Sequence, residues 1–311
     1  MKKINIALAM AAAVIMVGCQ TNPAKPKETS TSGAILIRGS DSGLKLLVRE
    51  AQRFNELYRN ATVSVEGGGS TAGIIALNDG TARIAAVSRE ITPAEDSIIK
   101  RNGGKAEGYK IALDGLTVIV NKNNRVERLT FAQLEGVFTG RIRRWPRVGG
   151  SGGNIHIALP AENLGGYEFF KKAVLQDREY SGKVHPCTTN AQIVEAVRTH
   201  ANAIGLVAYP ALYRSWDKLP PQPEPGIRAV AIGLSEASGF ALPDQKTIND
   251  GSYPLVRPVY LYVNDAVESR MEASGGSLAH GFITYVSSAE GQRLAAHQGF
   301  VPATMPVFIK P

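Results

Sequence analysis

The sequence predicts a two-lobed α/β protein. Short apolar strands alternate with amphipathic helices through the first third of the chain, a pattern typical of a parallel sheet covered by helices. Two long apolar strands, at 116–120 and 259–263, then bracket the middle third. A chain that crosses into a second lobe and later returns would give this arrangement, and a ligand would bind in the cleft between the lobes.

Hydrophobic spacing and capping residues define the elements of the first third. Apolar residues three and four positions apart indicate a helix at 44–54. Thr92, Pro93 and Glu95 favour another helix start, because they supply a capping hydroxyl, a first-turn proline and an acid at the third position. The predicted order is a strand at 34–38, the helix at 44–54, a strand at 63–65, a helix at 71–78 opened by Ser70, a strand at 84–87 and the helix after Thr92.

The rest of the chain continues this alternation. Thr130 and Gln133 form a second capping box, and Ser287 with Glu290 is expected to cap the last helix. The predicted elements are the long strand at 116–120, a helix running toward Gly140, strands at 155–159, 204–208 and 230–232, helices at 169–174 and 193–198, the long strand at 259–263, and helices at 280–286 and 289–298.

The composition is that of a soluble globular protein with a basic surplus. The 311 residues are 44% hydrophobic and 20% charged, and the formal net charge is +8. This surplus suits small anionic ligands or an anionic membrane surface. Nucleic-acid binding is not expected, since the tightest basic cluster contains a single aromatic residue, Trp145. That cluster is Arg141, Arg143, Arg144 and Arg147.

The amino terminus is predicted to be an export signal. Lys2 and Lys3 precede an apolar run at 4–17, which is too short to span a membrane as a helix. The segment ending at Cys19 resembles a bacterial lipobox, so residues 1–18 are expected to be removed and Cys19 to carry lipid. The alternative is a plain secreted protein. With the lipid in place, the chain is expected to be anchored in the cell envelope, on its periplasmic or extracytoplasmic face.

Residues 19–33 are expected to form the lipidated cysteine and a polar, disordered tether. With Cys19 acylated, Cys187 has no partner for a disulfide and is interpreted as a structural thiol. His185 lies two residues before Cys187, but two ligands without a second pair make a poor metal site. The sequence therefore predicts neither a metal nor another cofactor.

The strongest site signal is the glycine-rich loop at 66–73, which follows a strand and opens a helix. Helix amino termini present free N–H groups and a partial positive charge, so they bind anions. Gly69 allows close approach, while Ser70 and Thr71 add hydroxyl donors. A glycine-rich turn in which Ser70 is an ordinary helix cap would look the same.

Two further loops are expected at the same edge of the sheet. Ser40, Asp41 and Ser42 follow the first strand, and Ser88 with Arg89 follows the strand at 84–87. The carboxyl ends of parallel strands converge on one crevice, so these loops would form an oxyanion site together.

Enzyme motifs are not found. The chain has no GxxxxGK[ST] phosphate-binding loop, and the segment at 68–72 lacks the final glycine of GxSxG. The five histidines show no metal-ligand spacing. A secreted enzyme is therefore the weakest of the functional hypotheses.

Several stretches, in the same order along the chain, resemble the phosphate-binding component of Pst-type ABC transporters. They cover the chain from Ile35 to Pro302 and read VSVEGGGSTAGIIALNDGTARIAAVSREI, DGLTVIVNKNN, LTFAQLEGVFTGRIRRW, NAIGLVAYPAL, YPLVRPVYLYV and VSSAEGQRLAAHQGFVP. The resemblance implies a type II periplasmic-binding fold of two α/β lobes joined by two crossover strands. It also implies a monomer that binds an oxyanion and delivers it to an inner-membrane ABC permease. The expected lobes are 34–115 with 262–311, and 116–261.

The resemblance transfers to the site residues only in part. Asp41 stands where the family usually has Thr, and Arg83 stands where the family has Asp, an acceptor for a phosphate proton. In lobe two, Pro160, Leu164 and Gly166 replace Arg, Ser and Thr. The expected ligand-binding residues are Ser40, Asp41, Ser42, Gly69, Ser70, Thr71, Arg83, Ser88, Arg89, Gly165 and Gly166.

These departures lead to two expectations. Asp41 and Arg83 should pair across the cleft floor, and inorganic phosphate should bind more weakly than in a typical member of the family. The leading function is capture of phosphate or a related small anion. The alternative is a paralogue with altered or lost phosphate binding that acts as an envelope sensor or interaction protein.

Overall fold

The computed structural model describes residues 27–160, 165–181, 184–215 and 222–303. The expected signal, Cys19 and most of the tether lie outside these ranges, as does Leu164. In the described ranges no helix has both the length and the apolar character needed to cross a membrane.

The strands carry most of the architecture. In chain order they are β1 (Gly33–Gly39), β2 (Ala61–Glu66), β3 (Ile84–Val87), β4 (Ala106–Asn121), β5 (Arg128–Thr130), β6 (His156–Pro160), β7 (Val184–Cys187), β8 (Ala203–Ala208), β9 (Tyr213–Ser215), β10 (Gln222–Pro223), β11 (Ile227–Ala229), β12 (Ala231–Gly233), β13 (Val256–Asn264) and β14 (Val301–Pro302).

The helices alternate with the strands. They are α1 (Leu44–Leu57), α2 (Ser70–Asp79), α3 (Pro93–Arg101), α4 (Phe131–Phe138), α5 (Gly165–Ala173), α6 (Asn190–Thr199), α7 (Gln245–Asn249), α8 (Asp265–Ser274), α9 (Leu278–Ser287) and α10 (Ala289–His297). Short 3₁₀ turns lie at Trp145–Val148 and Tyr209–Leu212.

The main sheet has the order β2-β1-β3-β13-β4-β8-β6-β7, with β11 and β14 also paired to β4. β1 is parallel to β2 and β3, whereas β13 runs antiparallel to β3 and β4. β4 changes partner along its length: Ala106 to Gly115 pair with β13, and Leu116 to Val120 pair with β8. The hydrogen-bonded path is therefore continuous through β4, a feature not predicted from the sequence.

Each half of this curled sheet has its own hydrophobic core. The first core contains Ile37, Leu47, Phe54, Val259 and Phe282. The second contains Val118, Phe138, Trp145, Phe170 and Tyr253. Two cores joined by strands β4 and β13 are the expected two-lobed α/β arrangement, so the predicted fold class is confirmed.

The helix starts explain how the sequence sets these elements. The predicted capping boxes are present at Thr92 with Glu95 and at Thr130 with Gln133. The cap of the last helix is Ser288, which accepts from the amide of Gly291, so the prediction of Ser287 was wrong by one residue. Ser287 instead ends the preceding helix, α9.

Candidate functional site

Three loops meet at the carboxyl edge of the parallel strands. Backbone bonds join them: Gly69 N donates to Gly39 O at 3.0 Å, and Ser40 N donates to Ala86 O at 2.8 Å. The loops follow three neighbouring strands, which explains why they converge. We call them together the three-loop edge, made of residues 40–43, 67–69 and 88–92.

Two glycines allow this close approach. Gly39 has a φ of 150°, and a Cβ there would lie 2.0 Å from the carbonyl oxygen of Ala86. A Cβ at Gly73, in the first turns of α2, would lie 2.4 Å from the carbonyl oxygen of Arg38. Only glycine lets α2 press against the end of β1 in this way.

Serine hydroxyls and open amides point to anion chemistry at this edge. Ser70 Oγ lies 3.3 Å from Ser88 Oγ and accepts from Ser88 N at 3.2 Å, while Ser40 Oγ lies 2.9 Å from Ser42 Oγ. Gly69 is the cap residue of α2 and has no side chain to occupy the first-turn amides. Those N–H groups and the helix dipole can therefore stabilise a negative charge.

Asp41 lies beside the glycine-rich loop. Its Oδ1 accepts from Gly68 N at 3.3 Å, and a Cβ at Gly67 would lie 2.2 Å from the same oxygen. The carboxylate thus occupies one loop amide and places an acceptor at the three-loop edge. An acceptor there can bind a protonated ligand oxygen. A site lined only by hydroxyl groups would bind such an oxygen less well.

Arg89 is held in a bidentate pair with Glu95. Its Nη1 and Nη2 each donate to a carboxylate oxygen at 2.8 Å, and Nη2 also contacts Thr71 Oγ1 at 3.4 Å. The hydrogen bonds from Arg89 lower the pKa of Glu95 to about 2. Most of the charge of Arg89 is therefore already balanced, and its clearest role is to order the loop after β3.

The wall expected to face the three-loop edge from the second lobe is the start of α5. A Cβ at Gly166 would lie 3.4 Å both from Pro160 Cγ, at the end of β6, and from Leu116 Cδ1, on β4. Gly165 is the first residue of α5. Neither Pro160 nor Gly166 has a side-chain donor, so at these two positions this wall offers only backbone groups.

A buried ion pair lies where β4 changes partner. Arg257 is 3% exposed and its Nε and Nη2 donate to Asp114 Oδ2 at 2.9 and 2.6 Å. Burial raises the pKa of Asp114, and Arg257 opposes that shift. Sequence reasoning missed both residues as site candidates, although DGLTVIVNKNN and YPLVRPVYLYV contain them, because their pairing depends on strand register.

A family model described as a PBP superfamily domain matches residues 24–290. The chain belongs to the PBP superfamily. A relative named phosphate-binding protein PstS from Pseudomonas aeruginosa is 26% identical over 299 residues, which cover 90% of this chain and 87% of the relative. The PstS of Staphylococcus aureus strain COL is 28% identical over 269 residues, covering 85% and 77%.

Solved structures of phosphate transport proteins share the fold. An ABC-type phosphate transport receptor from Vibrio cholerae matches with a TM-score of 0.70 and 24% identity, covering 88% of this chain and 100% of the receptor. A Clostridium perfringens protein described as a substrate-binding protein with bound phosphate matches with a TM-score of 0.67 and 23% identity, over 88% and 100%. The type II periplasmic-binding fold expected from the sequence is thus confirmed.

The predicted role of Arg83 as a ligand-binding residue does not agree with its position in this fold. It immediately precedes β3, whereas Ser88 immediately follows that strand. At about 3.3 Å per residue, the two positions are roughly 16 Å apart along the strand. Arg83 therefore lies at the opposite edge of the sheet from the three-loop edge, and its assignment as a ligand-binding residue was wrong.

The expected pair of Asp41 with Arg83 is not formed. Arg83 donates to both carboxylate oxygens of Glu268, at 2.9 and 2.5 Å, and to Glu28 at 3.2 Å. Ser277 also donates to Glu268, which is 1% exposed. This network ties α8 to the amino-terminal edge of the sheet, and so it serves structure there.

The remaining polar candidates do not form a site. Cys187 is buried against α6, where burial raises the pKa of its thiol, and this agrees with a structural role. Across the parts of the chain that the structure describes, no three His, Cys, Asp or Glu side chains are grouped as a metal site.

Proposed function

We propose that this chain is the substrate-binding component of an ABC-type importer and that it captures phosphate, or a closely related tetrahedral oxyanion, between its two lobes. The observation that carries the proposal is the convergence of the loops after β1, β2 and β3. It brings the amides of α2 and the hydroxyls of Ser40, Ser70 and Ser88 to one edge. Membership of the PBP superfamily and the naming of its PstS relatives support the same ligand class.

The site binds the anion through donors and one acceptor. The first-turn amides of α2 and the Ser70 hydroxyl donate to ligand oxygens, with Ser40 and Ser88 beside them. Asp41 accepts from a protonated oxygen, which phosphate has near neutral pH and sulfate lacks. We therefore expect phosphate to be preferred over sulfate.

Calorimetry on protein freed of ligand by partial unfolding and dialysis tests the proposal. We expect wild type to bind phosphate, and Ser70→Ala to bind it roughly 10- to 100-fold more weakly, since a hydrogen bond to a charged group contributes about 1.5–3 kcal/mol. Ser97→Ala is the matched control, because Ser97 is exposed on α3 and bonds only to Pro93 O within the described residues. Wild type that binds no phosphate would refute the function.

The lobe-two substitutions support a weaker affinity than in a typical relative. The positions of Pro160, Leu164 and Gly166 have lost side-chain donors, and Leu164 lies outside the described residues. Losing several such donors removes on the order of 4–6 kcal/mol, although the terms do not add simply. A phosphate Kd of about 1 μM or tighter would contradict this expectation. A stable protein that binds no oxyanion would instead favour the sensor or interaction role.

Export, anchoring and partners complete the proposal. Cys19 is expected to be the lipidated mature terminus on the extracytoplasmic face, and the partner is an inner-membrane ABC permease. Intact-mass measurement of protein from the native host checks this, since a chain that keeps residues before Cys19 would contradict it. The protein is expected to be a monomer. The proposed lobes are 34–115 with 262–311, and 116–261, although β13 already begins at Val256.

A further inference from the structure

Arg257 lies between the two lobes. It pairs in register with Asp114, one residue before Gly115, where β4 leaves β13 and takes up β8. The position is therefore on the crossover strands, which belong to both halves of the sheet.

Residues from both walls of the proposed cleft pack near this part of β13. On the first side, Val259 lies two residues along β13 and so on the same face as Arg257. A Cβ at Gly43, in the loop after β1, would lie 2.8 Å from Val259 Cγ1. On the second side, the ring centroid of Phe169, on α5, lies 5.9 Å from Arg257 Cζ. Arg257 thus lies between the loop that carries Ser40 and the helix that begins at Gly165.

The hydrogen bonds of the pair are incomplete. Nε and Nη2 of Arg257 both use the Oδ2 atom of Asp114. Nη1 of Arg257 and Oδ1 of Asp114 are buried and have no partner within the described ranges. Buried polar atoms of native proteins nearly always have a partner, and one left unpaired is costly. The pair therefore has one uncommitted donor and one uncommitted acceptor, and a protonated oxyanion presents the complementary groups.

We propose that Arg257 is the guanidinium that contacts the bound oxyanion. Asp114 fixes Nε and Nη2, and Nη1 donates to a ligand oxygen. Arg257 thereby supplies from the crossover strand a guanidinium donor that Pro160 cannot supply from lobe two. The inference rests on the proposed function and adds a residue to it.

The double variant D114N/R257Q tests the contact. Removing both charges avoids an unpaired buried ion, and the two amides can still bond to each other, so the fold should survive. We expect phosphate binding at least 10-fold weaker than in wild type. The matched control is R83Q/E268Q, which removes an ion pair at the opposite edge of the sheet and should bind phosphate as wild type does.

A second readout does not depend on that variant. In wild type labelled with ¹⁵N at arginine, phosphate should shift the Arg257 side-chain resonances, assigned by R257K, and leave those of Arg83 in place. R257K itself should bind phosphate less tightly, since a single ammonium cannot both hold Asp114 and reach the ligand. If D114N/R257Q does not fold, the Arg257 resonances of wild type and the phosphate affinity of R257K test the inference.

The outcomes separate the inference from the function. Wild type that binds phosphate, with D114N/R257Q or R257K within about twofold of it and unshifted Arg257 resonances, would overturn the inference and leave the proposed function standing. Wild type that binds no phosphate would overturn both.

Discussion

The carboxyl group of Glu50 provides a quantitative prediction about stability. Glu50 lies on α1 and is 1% exposed. Burial raises the pKa of Glu50 to about 8, the Tyr285 hydroxyl opposes this shift, and the charge of Glu290 adds to it. Replacing Glu50 with Gln keeps the shape and the neutral form of the side chain but removes the titration.

The sign and size of the effect follow from proton linkage. Below the unfolded pKa of 4.5 both states hold the proton, so the full stability is present. As the pH rises from 4.5 toward 8, only the unfolded chain releases the proton, and the stability of wild type falls by about 1.4 kcal/mol per pH unit. At pH 7 this amounts to a loss of about 3 kcal/mol that Glu50→Gln would avoid.

Urea unfolding at pH 5, 6, 7 and 8 measures the difference. We expect the advantage of Glu50→Gln over wild type to grow steadily up to pH 8 and then to level off. Glu56→Gln is the control, because Glu56 is exposed on the same helix and its change should leave the pH dependence of wild type intact. Parallel stability curves for Glu50→Gln and wild type between pH 5 and 8 would refute the reasoning.

Three further predictions concern the site and its supports. Arg83→Gln should lower the free energy of unfolding by about 3–5 kcal/mol in urea, because Glu268 loses its cation. Calorimetry should show unchanged phosphate affinity. Weaker phosphate binding would show that Arg83 is part of the site. Gly73→Ala should weaken phosphate binding at least tenfold and lower stability by about 1–3 kcal/mol, because the added Cβ would displace α2. If this variant binds phosphate as tightly as wild type does, α2 does not contact the anion. Glu95→Gln should cost on the order of 2 kcal/mol at pH 7. The Glu95 pair stabilises the fold above pH 4.5 and loses this effect as the pH falls toward 2, so urea unfolding at pH 3 should show a smaller difference, and an equal one would contradict the low pKa.

The sequence predicted what depends on local pattern. The alternation of strands and helices gave the direction of each strand, and direction alone placed Ser70 and Ser88 at one edge. The same logic excludes Arg83, which stands before β3 and not after it. The resemblance to the family points to Arg83, whereas the direction of β3 places it at the other end of the strand.

Arg257 and Asp114 show what local pattern could not predict. They are 143 positions apart and meet only because β13 enters the sheet antiparallel to β4 in one register. A shift of one residue would turn Arg257 to the other face of the sheet, and nothing in either segment alone fixes that choice. The helix at Asp265–Ser274 was missed for a related reason: its sequence has few apolar residues, so it gives little periodic signal.

The position of β13 also fixes the order in which the molecule can assemble. The strand lies between β3 and β4, so the sheet begun by the first 121 residues has a gap until residues 256–264 arrive. Until then the facing edges of β3 and β4 lack their partner, and the core around Ile37 and Phe54 lacks Val259, Leu261 and Val263. As the chain emerges from its amino end, the inserted half can close first, and the half that is made first is completed last. Chains shortened before residue 256 should therefore be aggregation-prone, with open strand edges in their first half.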